Sequence, residues 1–268
     1  MEMRPLAPLQ RARGEAAVVL GAGGVIGLRQ SGCGKAILPR THGAAEAVFL
    51  NTSGGLTSGD RLRYALDLRA GRAAGTTQAA ERAYAAPHGP AEVRVDLVAG
   101  PGAALRWLPQ ETILYDRAAL HRSTVAELAP GASLLLLEML VLGREAMGES
   151  VRALDLLDRR EVRRAGRPVL LEPLRLTGDL LDRRASALTG GCRALATLAF
   201  VAPGAEDAAE GLRAHVPGLA VSGWAVAGGD GRCVARALGP AAEVRRAMAQ
   251  AAERLGGPLP LVWQREAG

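Results

Sequence analysis

Lysine is almost missing from this chain: Lys35 is the single lysine, so the net charge of +6 is carried by arginine, a bias that reflects genome composition rather than chemistry. Aromatic residues are also scarce, at 3%, with Phe49 and Phe200 the only phenylalanines. A surface for single-stranded nucleic acid needs aromatic platforms on which bases stack. No helix-turn-helix or zinc-finger pattern is present to read a duplex. The densest basic stretch, Arg159-Arg160-Glu161-Val162-Arg163-Arg164, is therefore read as a solvated or partner-facing strand, and nucleic acid is not expected as a partner. The three cysteines, Cys33, Cys192 and Cys233, form no CxxC pair and are odd in number, which argues against a disulfide framework and a zinc ribbon alike. His42, His88, His121 and His215 are scattered too, with no HxH or HExxH spacing to mark a tight metal site. Long apolar runs are missing: residues 134–142 are interrupted by Glu138 and fall short of the roughly 18 to 20 residues of a membrane span. The first residues, Met1-Glu2-Met3-Arg4-Pro5, open no contiguous apolar leader segment, so a cytoplasmic location without membrane attachment is expected.

What is present is period-two patterning. Residues 92–98 and 61–69 alternate apolar and polar positions as half-buried strands do, and glycine or proline punctuates the chain after them at 70–71, 100–102 and 130–131. Further strands are expected at 16–20, 104–107, 112–115, 123–128, 133–142, 158–164, 169–176, 194–200 and 223–227. Turn signals at this spacing favour stacked sheets, a sandwich or a solenoid, over a βαβ fold, although no fixed-period repeat is visible. Helix signals fall in the C-terminal third. Residues 240–256 place Val244, Ala247, Met248, Ala251 and Leu255 on one stripe, with Pro240 at the start and Gly256-Gly257-Pro258 at the stop, and residues 207–215 form a shorter candidate. With 49% hydrophobic and 22% charged residues, 268 residues can bury a sizeable core.

Two glycine-rich stretches imitate nucleotide loops. In Gly21-Ala22-Gly23-Gly24-Val25-Ile26 the third glycine of GxGxxG is replaced by Ile26, and no helix follows. In Gly32-Cys33-Gly34-Lys35-Ala36, Arg29 stands where a P-loop opens with glycine and Ala36 where magnesium needs a hydroxyl. Neither supports nucleotide binding.

The most informative segment is Asn51-Thr52-Ser53-Gly54-Gly55-Leu56-Thr57-Ser58-Gly59-Asp60, which follows the apolar Ala47-Val48-Phe49-Leu50. Glycine and small polar residues disfavour a helix interior, so this reads as a strand leading into a structured loop. Three more blocks follow in order: Thr76-Thr77-Gln78-Ala79-Ala80-Glu81-Arg82-Ala83-Tyr84, Leu108-Pro109-Gln110-Glu111-Thr112-Ile113-Leu114-Tyr115-Asp116, and Glu138-Met139-Leu140-Val141-Leu142-Gly143-Arg144-Glu145-Ala146-Met147-Gly148-Glu149. A weaker fifth is Val169-Leu170-Leu171-Glu172-Pro173-Leu174-Arg175-Leu176. Together they resemble the signature of the urease accessory protein UreD family, with Arg82 standing where lysine is expected; beyond about residue 180 only length and pattern match.

The resemblance implies a single UreD-like domain over residues 1–268, mainly β, a helicoid-like stack of sheets with about two α-helices in the C-terminal third. It implies a urease maturation factor rather than an enzyme: a scaffold that binds apo-urease, UreF and, through UreF, the GTPase UreG, and helps nickel reach the urease metallocentre. No tightly bound cofactor is expected, only nickel in transit. A passage needs oxygen ligands weak enough to release the ion. Asp60, Glu81, Glu111, Glu138 and Glu149 are the candidate carboxylates, with Glu138 foremost, since a carboxylate among leucines needs a partner. Arg144 could pair with Glu138 or Glu149. Gly54, Gly55, Gly59, Gly143 and Gly148 are read as turn residues, Tyr84 and Tyr115 as packed rings with a hydroxyl partner, and the 240–256 helix as a candidate UreF contact. The alternative is an all-β hydrolase using a pair of these carboxylates, although their spacing singles out no pair and no Gly-x-Ser-x-Gly is present.

Overall fold

The computed structural model describes residues 11–41, 43–182, 189–226 and 229–264; the Met1–Pro5 segment read for a leader, His42 and the last residue of the strand expected at 223–227 lie outside them. The strands are β1 (Arg13–Gly21), β2 (Gly24–Gly32), β3 (Gly34–Ile37), β4 (Ala45–Asn51), β5 (Arg61–Leu68), β6 (Arg72–Thr77), β7 (Glu81–Ala83), β8 (Ala91–Ala99) and β9 (Ala104–Trp107). They continue as β10 (Thr112–Leu114), β11 (Ala118–Leu128), β12 (Ser133–Leu142), β13 (Leu154–Arg164), β14 (Arg167–Thr177), β15 (Ala194–Ala202), β16 (Ala220–Val226) and β17 (Asp230–Gly239). The helices are α1 (Gly178–Asp182), α2 (Ala208–His215), α3 (Ala241–Gly256) and α4 (Leu261–Gln264).

One sheet runs β14-β13-β11-β8-β5-β1-β2, the other β16-β17-β15-β12-β9-β6-β4-β3, with β7 and β10 attached beside β12. From β4 to β13 the chain alternates between the two, and within each sheet the successive strands are parallel: β5, β8, β11 and β13 in one, β4, β6, β9 and β12 in the other. This is the helicoid stack the resemblance implied. At one end, the turn end, the chain reverses over residues 69–71, 100–103 and 129–132; at the other, the loop end, over 52–60, 78–90, 108–117 and 143–153. Uneven loop lengths explain why no fixed period shows in the sequence: the strands of one sheet begin at Arg61, Ala91, Ala118 and Leu154. The four blocks that carried the resemblance fall at the loop end, one for each reversal.

The alternating strands have one wet face. In β8 and β11 the odd positions of the burial pattern are shut in and the even ones are open or partly open. β12 is different, buried nearly throughout, because it packs on both faces. Leu134, Leu136 and Leu140 face the space between the sheets, and Leu135, Leu137 and Met139 face the helices. That explains an unbroken apolar run where alternation is the rule. The helix expected at 240–256 is α3, and its stripe (Val244, Met248, Ala251) is buried in the second of these clusters. The stripe closes the protein's own core and so is not the free face that a UreF contact there would need. Arg106 crosses from β9 to donate Nη1 hydrogen bonds to the carbonyls of Gly256, Gly257 and Pro258 at 3.0, 3.2 and 2.7 Å, satisfying the end of that helix.

Between the sheets, Phe49 packs against Tyr64 and Trp107 with ring centroids at 5.0 and 5.6 Å. Gly75 lies so close that a Cβ there would sit 2.7 Å from both Leu66 and Trp107, which is why glycine occupies that point of the strand. The glycine run at 21–24 forms the β1–β2 hairpin turn, an ordinary structural use of those residues. β2, β3, β6, β7 and β17 had no counterpart among the expected strands, and α1 and α4 none among the helices. β3, β7, α1 and α4 are short, β2 is open or half-open on both faces, and in β6 and β17 successive residues are buried on both faces, so none of them offers the burial contrast that periodicity reads.

Candidate functional site

Interior charge collects toward the loop end of the space between the sheets. Arg122 of β11 lies on the face that carries Leu120 and Ala126, and its side chain is 7% exposed. Its Nε and Nη2 donate to Asp158 Oδ1 and Oδ2 at 3.0 and 2.7 Å, a two-pronged pair within one sheet. Its Nη1 reaches across to the other sheet, 2.7 Å from Glu138 Oε2, and donates to Thr112 Oγ1 at 3.2 Å. Trp107 Nε1 donates to the other Glu138 oxygen at 3.3 Å. Arg160, also inward on β13, stands 3.5 Å from Asp158. Two guanidinium groups and two carboxylates thus share the interior as a charge-balanced set, the condition under which buried ions persist.

The balance is not even. Burial opposes the charge on both carboxylates; at Asp158 the two-pronged Arg122 contact prevails and the pKa is lowered, whereas at Glu138 burial prevails and it is raised. Burial likewise opposes the Arg122 charge, but Asp158 and Glu138 hold the guanidinium protonated beyond its ordinary range.

Glu81, at the start of β7, lines the same space. Asn51 Nδ2 lies 3.3 and 3.4 Å from its two oxygens and its own neighbour's N–H, that of Arg82, donates at 3.1 Å. Burial pushes its pKa up to about 7 against those hydrogen bonds. Glu81, Glu138, Arg122, Gln110, Thr112 and Tyr64 border a cavity of about 40 Å³ between the sheets. That is room for a water molecule or an ion. Gln110 donates nothing from its buried Nε2 among the described residues, while its Oε1 accepts from Arg245 Nη2 at 2.7 Å. A sugar or peptide does not fit such a volume, so the paired-carboxylate hydrolase finds no support here.

The five carboxylates singled out from sequence therefore separate. Glu81 and Glu138 come together at the cavity. Asp60 instead accepts the backbone N–H groups of Ala12 and Thr57, both at 2.8 Å, and fastens the first loop. Glu149 accepts from the N–H of Asp116 and of Arg144 at 3.2 and 3.1 Å and pairs with Arg144 Nε at 2.9 Å, which settles the choice of partner for Arg144. Glu111 meets Arg245 of α3 at 2.8 Å, joining the third loop to the C-terminal helix. Asp116 performs the same service as Asp60, accepting from Ala153 and Arg152, whose N–H groups hold its pKa below the usual carboxylate range.

Arg122, Asp158 and Arg160 were not singled out as interior groups, yet their signal is in the sequence. Strand parity puts Arg122 in register with Leu120 and Ala126, and Asp158 and Arg160 with Leu156 and Val162, so charges occur on an apolar face. In the basic stretch at 159–164 alternate residues divide: Arg160 points inward, Arg159 and Arg163 pair with Glu161 at 2.8 and 2.6 Å, and Arg164 pairs with Asp230 at 2.6 Å. No continuous basic strip results. Among the described residues no three His, Cys, Asp or Glu side chains converge on one point, and no helix is long and apolar enough to cross a membrane.

Residues 12–267 match the family model described as UreD urease accessory protein. The chain belongs to the UreD family. It is 49% identical over 267 residues to the urease accessory protein UreD of Dinoroseobacter shibae, covering 96% of this chain and 93% of that protein. It is 50% identical to the UreD of Cereibacter sphaeroides strain ATCC 17025, covering 96% of both, and 43% identical to that of Methylobacterium sp. strain 4-46, covering 95% and 96%. As a UreD-family chain it is an accessory protein of urease, and the coverage extends the match through the region beyond residue 180 where the motifs were silent.

Proposed function

We propose that this chain is a cytoplasmic maturation factor that binds apo-urease together with UreF and, through UreF, UreG, and helps nickel pass to the urease metallocentre. It acts as a scaffold and chaperone, turning over no substrate and keeping no cofactor. Beyond family membership, the supporting observation is that Glu81 and Glu138 both line one water-sized interior cavity.

Transit and storage make opposite demands. Storage wants several strong ligands at fixed geometry; transit wants few oxygen donors that let go. Glu81, poised at about 7, can take up a cation on losing its proton and release it on regaining one, without a large free-energy step in either direction. Glu138 adds a second oxygen donor whose charge is already balanced by Arg122. Asp60, Glu111 and Glu149 serve the passage indirectly in this reading, by holding the loops around it.

The test measures urease activity and nickel bound to purified urease in cells carrying the cognate urease operon, with the wild-type chain, without it, and with Glu81→Gln or Glu138→Gln. Assembled but nickel-poor urease without the chain, and lowered loading with either variant while the complex still co-purifies, is the expected outcome. Fully loaded urease in the absence of the chain would refute the maturation role, and normal loading by both variants would refute the passage.

A further inference from the structure

The loop end carries a feature that neither the interior cavity nor the loop fastening explains. Each of the four reversals contributes one rung to an exposed ladder. Tyr84 Oη donates to the Gly54 carbonyl at 3.3 Å, the Tyr84 and Tyr115 rings meet edge to face at 4.9 Å, and the Arg144 guanidinium lies over the Tyr115 ring at 4.8 Å. Two of the three tyrosines in a chain poor in aromatics stand here, and Tyr84 is 38% exposed. The arrangement is prepared from beneath: a Cβ on Gly55 would lie 2.4 Å from the Tyr84 ring, so glycine is what lets the ring lie flat on its loop. Met147, 71% exposed, follows Arg144 on the same loop. Rigid tyrosines, arginine and methionine are the residues that protein interfaces concentrate, because they offer large contact area for little loss of side-chain freedom.

Charge selects the kind of partner. The carboxylates of these loops are engaged with backbone N–H groups or arginines: Asp60, Glu81 and Glu149 fasten their own loops, Asp116 ties the third loop to the fourth, and Glu111 binds Arg245. The exposed charged residues left on the loops are Arg82, Arg117, Arg144 and Arg152 against the lone carboxylate Glu145. Among the described residues Arg82, Arg117 and Arg152 enter no ion pair. We infer that the Gly54–Tyr84–Tyr115–Arg144 ladder is a docking surface for an acidic segment of a protein partner, with the tyrosines as apolar anchors and the arginines setting orientation and rate of encounter. The inference rests on the reading of this chain as a partner-dependent accessory protein.

The test immobilises the full chain and measures binding of cognate apo-urease and of cognate UreF separately, at low and high salt. The variants are the Arg82→Glu, Arg117→Glu double substitution and Tyr84→Ala, each checked by thermal melting. The double variant touches no packed ring, and an unchanged Tm separates lost docking from lost folding. Expected is a roughly tenfold or greater weakening of one of the two partners by each variant, with high salt weakening the wild type toward the double variant. Undiminished binding of both partners by both variants overturns the inference while leaving the accessory reading intact. A wild-type chain that binds neither partner overturns both. Retention on a single-stranded oligonucleotide that the double variant loses, with protein binding unchanged, also overturns it by assigning the patch to nucleic acid.

Discussion

At the turn end the chain reverses over residues 69–71, 100–103 and 129–132, with glycine at the tightest points and backbone hydrogen bonds from one turn to the next, such as Gly102 N–H to the Pro130 carbonyl at 3.1 Å. At the loop end the same reversals take residues 52–60, 78–90, 108–117 and 143–153, and there carboxylates capture loop N–H groups, β7 and β10 join β12, and the tyrosine and arginine ladder forms. Both ends connect the same two sheets. A reversal needs only a few residues, so the extra length and polar chemistry of the loop end are in excess of what folding requires. Loops on a rigid stack are where binding chemistry can be placed without disturbing the strands. The motifs of the UreD family mark that end.

The comparison predicts where substitutions hurt and what they hurt. The largest effect is expected from Arg122→Ala, which leaves Asp158 and Glu138 buried without their shared cation; about 3 to 5 kcal/mol of stability should be lost, measured by urea unfolding. Loss below about 1 kcal/mol would mean that the interior charges are solvated and the cavity is wetter than its lining implies.

Glu81→Gln should separate stability from function. The folded chain keeps the Glu81 proton up to about pH 7, whereas in the unfolded chain it leaves near 4.5. More protons are bound folded than unfolded between those values, so this group's contribution to stability falls as pH rises through the window and is level above it. The glutamine variant should therefore gain on the wild type across that window, by on the order of 2 to 3 kcal/mol and several degrees of Tm at its upper edge, while loading less nickel into urease. Melting both proteins across the pH range checks it; parallel curves would place Glu81 in water.

Asp60→Ala should cost about 1 to 3 kcal/mol, because two loop N–H groups lose their acceptor in a buried place. The loss should be local, visible as faster amide exchange in residues 52–60 with the turn end unaffected. The smallest effect belongs to the turn end. Gly131→Ala, at φ 71° with the nearest outside atoms 3.8 Å away, should cost about 1 kcal/mol in backbone strain alone and leave nickel loading unchanged. Impaired loading in that variant would break the division between the ends.

Much of this was legible in the chain. Period-two alternation located β5 and β8, the further strands expected at 123–128, 133–142, 158–164 and 169–176 fall within β11 to β14, and the 240–256 stripe located α3 to within a residue. Gly54, Gly55, Gly59, Gly143 and Gly148 all take positive φ, as turn residues do. Glu138 was legible as a misfit in a leucine run, and it is 3% exposed. Its partner was less so, because Arg122 sits in a strand of mixed polarity where only parity betrays its direction. Short or two-sided strands such as β2, β3 and β7 gave no burial contrast to read.

By itself the amino-acid sequence determined most of the strands, the principal helix, the reversals and, through its four blocks, the UreD family, because these depend on residues near one another in the chain. Only the tertiary structure decided that Glu81 and Glu138 share a cavity while Asp60, Glu111 and Glu149 do not, and that Gly54, Tyr84, Tyr115 and Arg144 form one ladder. Those residues are separated by whole turns of the stack. Which of them meet is set by the register of parallel strands, Glu81 with Thr112 and Leu140, Ala83 with Leu114 and Leu142, and that register is a property of the assembled sheets rather than of any segment.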